Sequence, residues 1–386
     1  MRGNALAASD VTGTNARLSV TRLRLSQFRC YAEAAFDGDE RPVVLTGPNG
    51  AGKTNMLEAV SYLGPGRGLR QARLADVDRR GGDAGWAVAA TVSGPVGPVE
   101  LGTGRDPSST RRAVRVNGAA ASGQSALAEY VSIVWLTPQM DRLFLEGEAA
   151  RRRVLDRLVF GFDTAHAGRV SAYEHAMRER ARLLKLGRRD DGWLSALEDT
   201  MAGRGIAIAA ARRDMAGRLA RACAEASGPF PAAGIAAIGQ VEDWLEEVPA
   251  LAAEDRLRER LAAQRDDDAA SGRTSVGSHR SDFAVRHLEN DMPANLCSTG
   301  EQKALLIAVV LANARLQAAE RGMAPLLLLD EVAAHLDVGK RCVLFETLLG
   351  LGVQAWLTGT DRHLFDELGE QAQFYTVADA TLRPAA

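Results

Sequence analysis

One segment restricts the fold more than any other. Gly47-Pro48-Asn49-Gly50-Ala51-Gly52-Lys53-Thr54 fits G-x-x-x-x-G-K-[ST] at every position. It leaves a short apolar strand, Val43 to Thr46, and opens a helical stretch, Asn55 to Tyr62. Strand, glycine loop and helix in that order are the context a phosphate cradle requires. The glycines let backbone N–H groups wrap phosphate oxygens, Lys53 neutralises the β- and γ-phosphates, and Thr54 holds Mg²⁺. A chance glycine turn is the bland reading, and both motif and context argue against it.

Leu326 to Leu329 followed by Asp330-Glu331 is the natural partner. Asp330 at a buried strand end holds Mg²⁺ through water, and Glu331 orients or deprotonates the attacking water. Alone, the pair is an ordinary acidic strand end. Gln139, just after the strand Val131 to Leu136, is placed to reach the metal or the water, with a surface glutamine in a turn as the alternative. Thr358-Gly359-Thr360 ends the last core strand, where the hydroxyls either sense a γ-phosphate or make a plain turn. Asp337, in His335-Leu336-Asp337, is an exposed turn unless the other motifs give it a role.

A second anion-friendly feature lies far downstream. In "NLCSTGEQKALL", Ser298, Thr299 and Gly300 precede an apolar-periodic helix, Ala304 to Leu316. Ser298 with Glu301, and Thr299 with Gln302, both fit the capping-box pattern. Such a helix start suits a bound anion.

The 386 residues are enough for two or three domains. With 47 basic and 49 acidic residues the net charge is −2, so any nucleic-acid surface has to be local. The four cysteines form no C-x-x-C pair, which implies neither a disulfide framework nor a zinc cluster. The longest apolar run, Ala304 to Ala312, is too short to span a bilayer. A cytoplasmic protein without membrane partners is expected. Residues 1–17 read as a flexible tail. Residues 18–139 carry the glycine loop and strand signals at Leu18–Leu25 (with a bulge near Thr21-Arg22), Phe28–Phe36, Trp86–Val92 and Ala113–Val116. Residues 140–270 turn rich in Ala, Arg, Leu and Glu at helical spacing, broken at "LGRRDDG" and "SGPFPAAG". Residues 271–386 return to strands, including Gln354–Thr358. The expected fold is α/β, one head split between the chain's two ends around a compact helical arm.

Glycine loop, "STGEQ" at a helix start, "LLLLDE" and "HLD" come in an order that resembles the ABC-type P-loop ATPase head. In that family the serine-glycine signature completes the nucleotide site of the opposing subunit, so Ser298 to Gly300 would face another copy's γ-phosphate. Two departures stand out: Thr299 replaces a signature glycine, and "LTGTDRH" lacks the usual switch histidine. Lys53 and Ser298 lie 245 residues apart, too far for a transporter ATPase and too close for an SMC protein with its long coiled coil. "LSQFRCY", "LGPGRGLR", "GEAARRRVLDRLV", "YEHAMRERARLLK" and "GSHRSDF" are similar to the RecF family over about residues 18–375. That resemblance implies a weak ATPase using ATP and Mg²⁺ and dimerising on ATP. It implies binding to double-stranded, gapped and single-stranded DNA. It also implies joining RecR- and RecO-type partners to load RecA in gap repair, recombination, replication and the SOS response. The alternative is a nucleotide-stabilised scaffold that has no need of hydrolysis. Candidate DNA contacts are Arg22, Arg24, Arg67, Arg70 and Arg73 on the head. On the arm they are Arg151, Arg152 and Arg153, with the run Arg178, Arg180, Arg182, Lys185, Arg188 and Arg189. A solvated helical face paired to Glu174 and Glu179 is the competing reading of that run.

Overall fold

The computed structural model describes residues 17–187, 190–225 and 228–385; the expected tail through residue 16, and Arg188 and Arg189, lie outside the described residues. The chain opens with β1 (Ser19–Phe28), β2 (Tyr31–Asp37) and β3 (Val43–Thr46), then α1 (Lys53–Ser61). β4 (Trp86–Gly94), β5 (Gly97–Arg105), β6 (Ala113–Val116), β7 (Ala119–Ala120) and β8 (Ile133–Leu136) follow. An antiparallel sheet runs in the order β2-β1-β4-β5-β6-β7. The expected bulge in β1 is present, because its register against β4 shifts between Val20 and Arg22. That irregularity leaves the Val20 N–H to a side chain described below.

The middle of the chain is mostly helical: α2 (Glu148–Phe160), α3 (His166–Lys185) and α4 (Asp191–Ala224) precede β9 (Ala233–Ile238), and α5 (Gln240–Glu247), α6 (Ala250–Ala263) and α7 (Arg265–Ser271) follow it. Asp190 caps α4 by accepting from the Trp193 N–H, which is where "LGRRDDG" breaks the helices. β9 is a strand inside the stretch read as helical. It pairs antiparallel with β10 (Asp282–His287), which in turn pairs with β11 (Met292–Pro293). The region is also not one separate core. Tyr173, Met201, Ile206 and Leu257 form their own cluster, whereas Val154, Leu158, Met215 and Leu219 pack into the same core as Leu305, Leu327 and Phe345. A division at residue 140 therefore cuts through a continuous apolar interior.

The chain ends with α8 (Thr299–Arg321), β12 (Leu326–Leu329), α9 (Val338–Gly350), β13 (Ala355–Gly359), β14 (Gln373–Ala378) and β15 (Thr381–Pro384). A second sheet is ordered β15-β14-β3-β13-β12-β8, parallel except for β15. Its β3, β8 and β12 strands are wholly buried, as expected of parallel strands covered on both faces. Two glutamines fasten the C-terminal strands to the N-terminal chain. Gln354 Oε1 accepts from Val20 N at 2.8 Å, and its amide donates to Asp39 O at 2.7 Å. Gln373 Oε1 accepts from Asp39 N at 2.9 Å, and its amide donates to Arg41 O at 3.0 Å.

Arg180 corrects the reading of the arm as a basic face. Its side chain is 0% exposed, between Glu198 at 2.9 Å and Asp268 at 2.7 Å, and it donates to Leu261 O. It holds α3, α6 and α7 together from inside. Arg180→Leu leaves the buried Asp268 without its cation, while Glu198 keeps Arg265, and the expected cost is about 3 kcal/mol. Urea denaturation of the variant beside the parent checks this; a loss below about 1 kcal/mol would mean Asp268 finds another partner.

Candidate nucleotide site and nucleic-acid interface

The glycine loop leaves β3 at the C-terminal edge of the parallel sheet. Gly47 is at φ +149, and a Cβ there would meet Val377 O of β14 at 2.1 Å, so only glycine lets the loop start between strands. Gly52 caps α1 in the left-handed region at φ 116, with its back against Tyr31 Oη and Cys30 Sγ. Tyr31 Oη donates to Gly52 O at 3.1 Å and braces the loop from β2. Lys53 Nζ donates to Gly47 O at 2.6 Å and Pro48 O at 2.9 Å. Burial pushes this ammonium below its ordinary pKa, against the pull of Glu331 and Asp330.

The acidic strand end comes directly under the loop. Thr54 Oγ1 donates to Asp330 Oδ1 at 3.0 Å. Thr358 Oγ1 donates to the same oxygen at 2.8 Å and accepts from Glu331 N at 2.9 Å. Thr358 is thus a positioning residue for the acidic pair, and at 1% exposure it is not a surface sensor. Glu331 takes φ 53, a strained conformation for a side-chain-bearing residue, just after the buried Asp330. Desolvation raises the Asp330 pKa, although the two hydroxyls work against it. A buried carboxylate with only hydroxyl partners, beside a threonine hydroxyl, is an all-oxygen donor set that fits Mg²⁺. Among the described residues no His/Cys/Asp/Glu group of three or more makes any other metal centre.

The remaining site residues divide by exposure. Gln139 is in the 3₁₀ turn Pro138–Arg142 that leaves β8, whose Leu136 O accepts from Asp330 N at 2.9 Å. Two residues on, Asp141 pairs with Lys303 of α8 at 3.3 Å, a link between positions 162 apart that no motif marks. Ser298 caps α8 through a full capping box: its hydroxyl accepts from Glu301 N, and Glu301 Oε2 accepts from Ser298 N at 2.8 Å. Gln302 is buried and donates to Cys297 O instead of pairing with Thr299. Ser298, Thr299 and Gly300 are all exposed, while most of α8 behind them is buried. Asp337 caps α9 by accepting from Lys340 N. His363 is 84% exposed and paired with Asp366. A cavity of about 360 Å³ lies beside the loop, next to Asn55, and is lined by Arg29, Cys30, Asp76 and Arg79.

The candidate DNA contacts separate as well. Arg151 is salt-bridged to Asp282 at 2.7 Å and Arg152 donates to Ser281 O, so both spend their charge on the "SHRSDF" segment and are not free phosphate contacts. Arg22 and Arg24 pair with Asp37, and Arg70 with Asn55 and Glu58. Arg178 and Arg182 face Glu174 and Glu179, as the solvated-face reading has it. Arg67, Arg73 and Arg153 are exposed. Arg67 and Arg73 line a cavity of about 620 Å³ with Arg111, which sequence reasoning missed because it sits in a polar loop outside any motif.

The Asp330 carboxyl has a stability consequence. Its pKa is higher in the folded chain than in the unfolded one, so the folded state binds the extra proton. Without nucleotide, stability therefore rises as pH falls through that window, and the ionised group is a cost at neutral pH. Asp330→Asn is expected to raise the Tm by roughly 1–2 °C at pH 7.5 and to abolish Mg²⁺-dependent nucleotide binding. The Tm gain should vanish near pH 4. Melting curves across pH check it, and a lower Tm at pH 7.5 would mean the carboxylate stabilises the apo fold.

Residues 19–381 match the family described as RecF/RecN/SMC N terminal domain. The chain is 51% identical over 373 residues to the DNA replication and repair protein RecF of Mesorhizobium japonicum, covering 96% of this chain and 98% of that one. It is 50% identical over 367 residues to the protein of the same name from Rhizobium meliloti, covering 94% and 98%. Among solved structures it is similar to the recombination mediator protein RecF–ATPrS in the RecFOR pathway, with TM-score 0.83 and 20% identity over 96% of this chain and 99% of that one. A Pyrococcus furiosus Smc head domain, at TM-score 0.52 and 15% identity over 95% and 96% of the two chains, shares the fold.

Proposed function

Since the chain belongs to the RecF family, we propose that it is an ATP-dependent DNA-binding ATPase of gap repair, working in the cytoplasm as an ATP-closed homodimer with RecR- and RecO-type partners to load RecA. The observation that carries the ATPase reading is the Thr54–Asp330 contact, between residues 276 positions apart, directly below the glycine loop. Gly47 to Thr54 cradle the phosphates through backbone N–H groups, and Lys53 turns its ammonium from the loop carbonyls to the γ-phosphate. Thr54 and Asp330 would hold Mg²⁺, which would supply charge neutralisation for the phosphates. Glu331 accepts the proton of the attacking water, Thr358 holds it in place, and Gln139 orients the water from β8. The cavity beside Asn55 has room for the nucleoside end.

The exposed Ser298, Thr299 and Gly300 support a composite site, completed by the loop of a second copy with Asp337 nearby. Lys53→Ala and Ser298→Arg are then each inactive alone, and an equimolar mixture regains activity, because one of the two heterodimer sites is intact on both sides. Steady-state hydrolysis measures this; no recovery in variants shown to heterodimerise would sink the composite site.

On the DNA side, Arg67, Arg73, Arg111 and Arg153, exposed and without an ion pair among the described residues, replace Arg151 and Arg152 as proposed phosphate contacts. Anisotropy of a labelled duplex titrated with Glu331→Gln, with and without Mg-ATP at two salt concentrations, tests the coupling. ATP-dependent binding that weakens steeply with salt is expected. Binding that ignores ATP would leave the scaffold as the better reading.

A further inference from the structure

A cavity of about 230 Å³ lies away from the glycine loop, between the segment after α1, β8 and α2. Four arginines line it: Arg67, Arg153, Arg157 and Arg321. Its two carboxylates are already engaged. Asp156 is held by both Arg212 and His166 at 2.8 Å, and Glu174 faces Arg178. Arg157 is the unusual member. Its guanidinium lies 4.1 Å over the Trp135 ring, and its Nη2 finds only Trp135 O at 3.4 Å and the Met140 sulfur at 3.7 Å. Its Nε is buried with no partner at all. Among the described residues no carboxylate lies within salt-bridge distance of Arg67, Arg153, Arg157 or Arg321. Burial pushes Arg157 down to about 9 and lowers Arg321 as well. Elsewhere a desolvated arginine is satisfied, Arg180 by two acids and Arg112 by the carbonyls of Gly64 and Gly66 and the Thr103 hydroxyl. Arg157 has neither acids nor a set of close carbonyls, and such a group is costly without a counter-ion from outside.

We propose that this cavity is a second anion site, separate from the Lys53 loop, built for a compact phosphate dianion or pyrophosphate. Guanidinium forks match phosphate oxygens two at a time, and a wall of apolar and aromatic side chains (Ile133, Phe160 and Trp135) strengthens each pair by excluding water. The size of the cavity selects the ligand class. It takes one or two phosphoryl groups, whereas a duplex backbone could not reach Arg157 behind the Trp135 ring. Arg153, Arg157 and Gln71 also line an adjoining cavity that contains Gln139, so a bound anion would lie next to the turn that faces Asp330.

The test uses the full chain with its glycine loop disabled by Lys53→Ala, titrated calorimetrically with inorganic pyrophosphate. One pyrophosphate per chain is expected, with a Tm rise of about 2–5 °C at saturation. Arg157→Met should weaken binding at least tenfold while the ligand-free Tm holds or rises, because an unmatched buried charge is gone. A merely structural arginine would instead lower that Tm and leave binding unchanged. Arg321→Gln and Arg153→Ser give the same reading without touching the Trp135 stack, should Arg157→Met fail to fold. No heat in Lys53→Ala when the parent binds, or equal affinity in the arginine variants, would each overturn the proposal.

Discussion

The parallel pairing of β3 with β13 and β14 is the contact on which everything else hangs. It sets Val44 opposite Leu357 and Phe374, more than three hundred positions away. The parallel strands of this sheet all end at the same edge, so the loop after Thr46, the acids after Leu329 and the hydroxyl of Thr358 arrive together. Open parallel sheets bind ligands at that edge because the strands there diverge into loops and helix starts. The order β3-β13-β12-β8 decides which loops meet, and it brings the turn of Gln139 to the far side of Asp330. Gln354 and Gln373 keep this assembly from depending on strand pairing alone. Each bonds to main-chain groups of the N-terminal segment from a C-terminal strand, in a setting where an unpaired amide would be costly.

The chain uses arginine in two physically opposite ways, and composition alone cannot separate them. Arg151, Arg180 and Arg212 are internal cross-links with acids from distant elements. Arg67, Arg73 and Arg111 keep their charge for the outside. In linear sequence Arg180 and Arg182 look alike, two positions apart on one helix, yet one is sealed and the other lies in water paired with a helix neighbour. The difference comes from α4 and α7 closing over one face of α3, which no local pattern announces.

Much of the head was legible because its signals are local. Val43–Thr46 and Leu326–Leu329 are strands at the expected residues, and Ser298 with Glu301 forms the expected cap. The bulge at Thr21-Arg22 was readable because the inward side chains change parity there. β5 was not: Gly97, Pro98, Gly102 and Gly104 argue against a strand, and only pairing with β4 and β6 along its length makes one. β9 was lost for a similar reason, as Ala-rich "AAGIAAI" reads equally well as helix until β10 fixes it. Thr358 was seen as a candidate, but not as the residue that positions Asp330 and Glu331. Its partners Asp330 and Glu331 come from another strand, so its role exists only in the folded sheet.

α8 is one unbroken helix of 23 residues, a rod of roughly 35 Å. Ser298 caps one end in the open, and Arg321 closes the other at the arginine-lined cavity, donating to the O of Gly161, the residue that caps the end of α2. Lys303 ties the near end to Asp141. A buried helix of this length is stiff along its axis. One hydrogen-bonded element therefore joins the exposed cap directly to the arginine-lined cavity, with no loop between them.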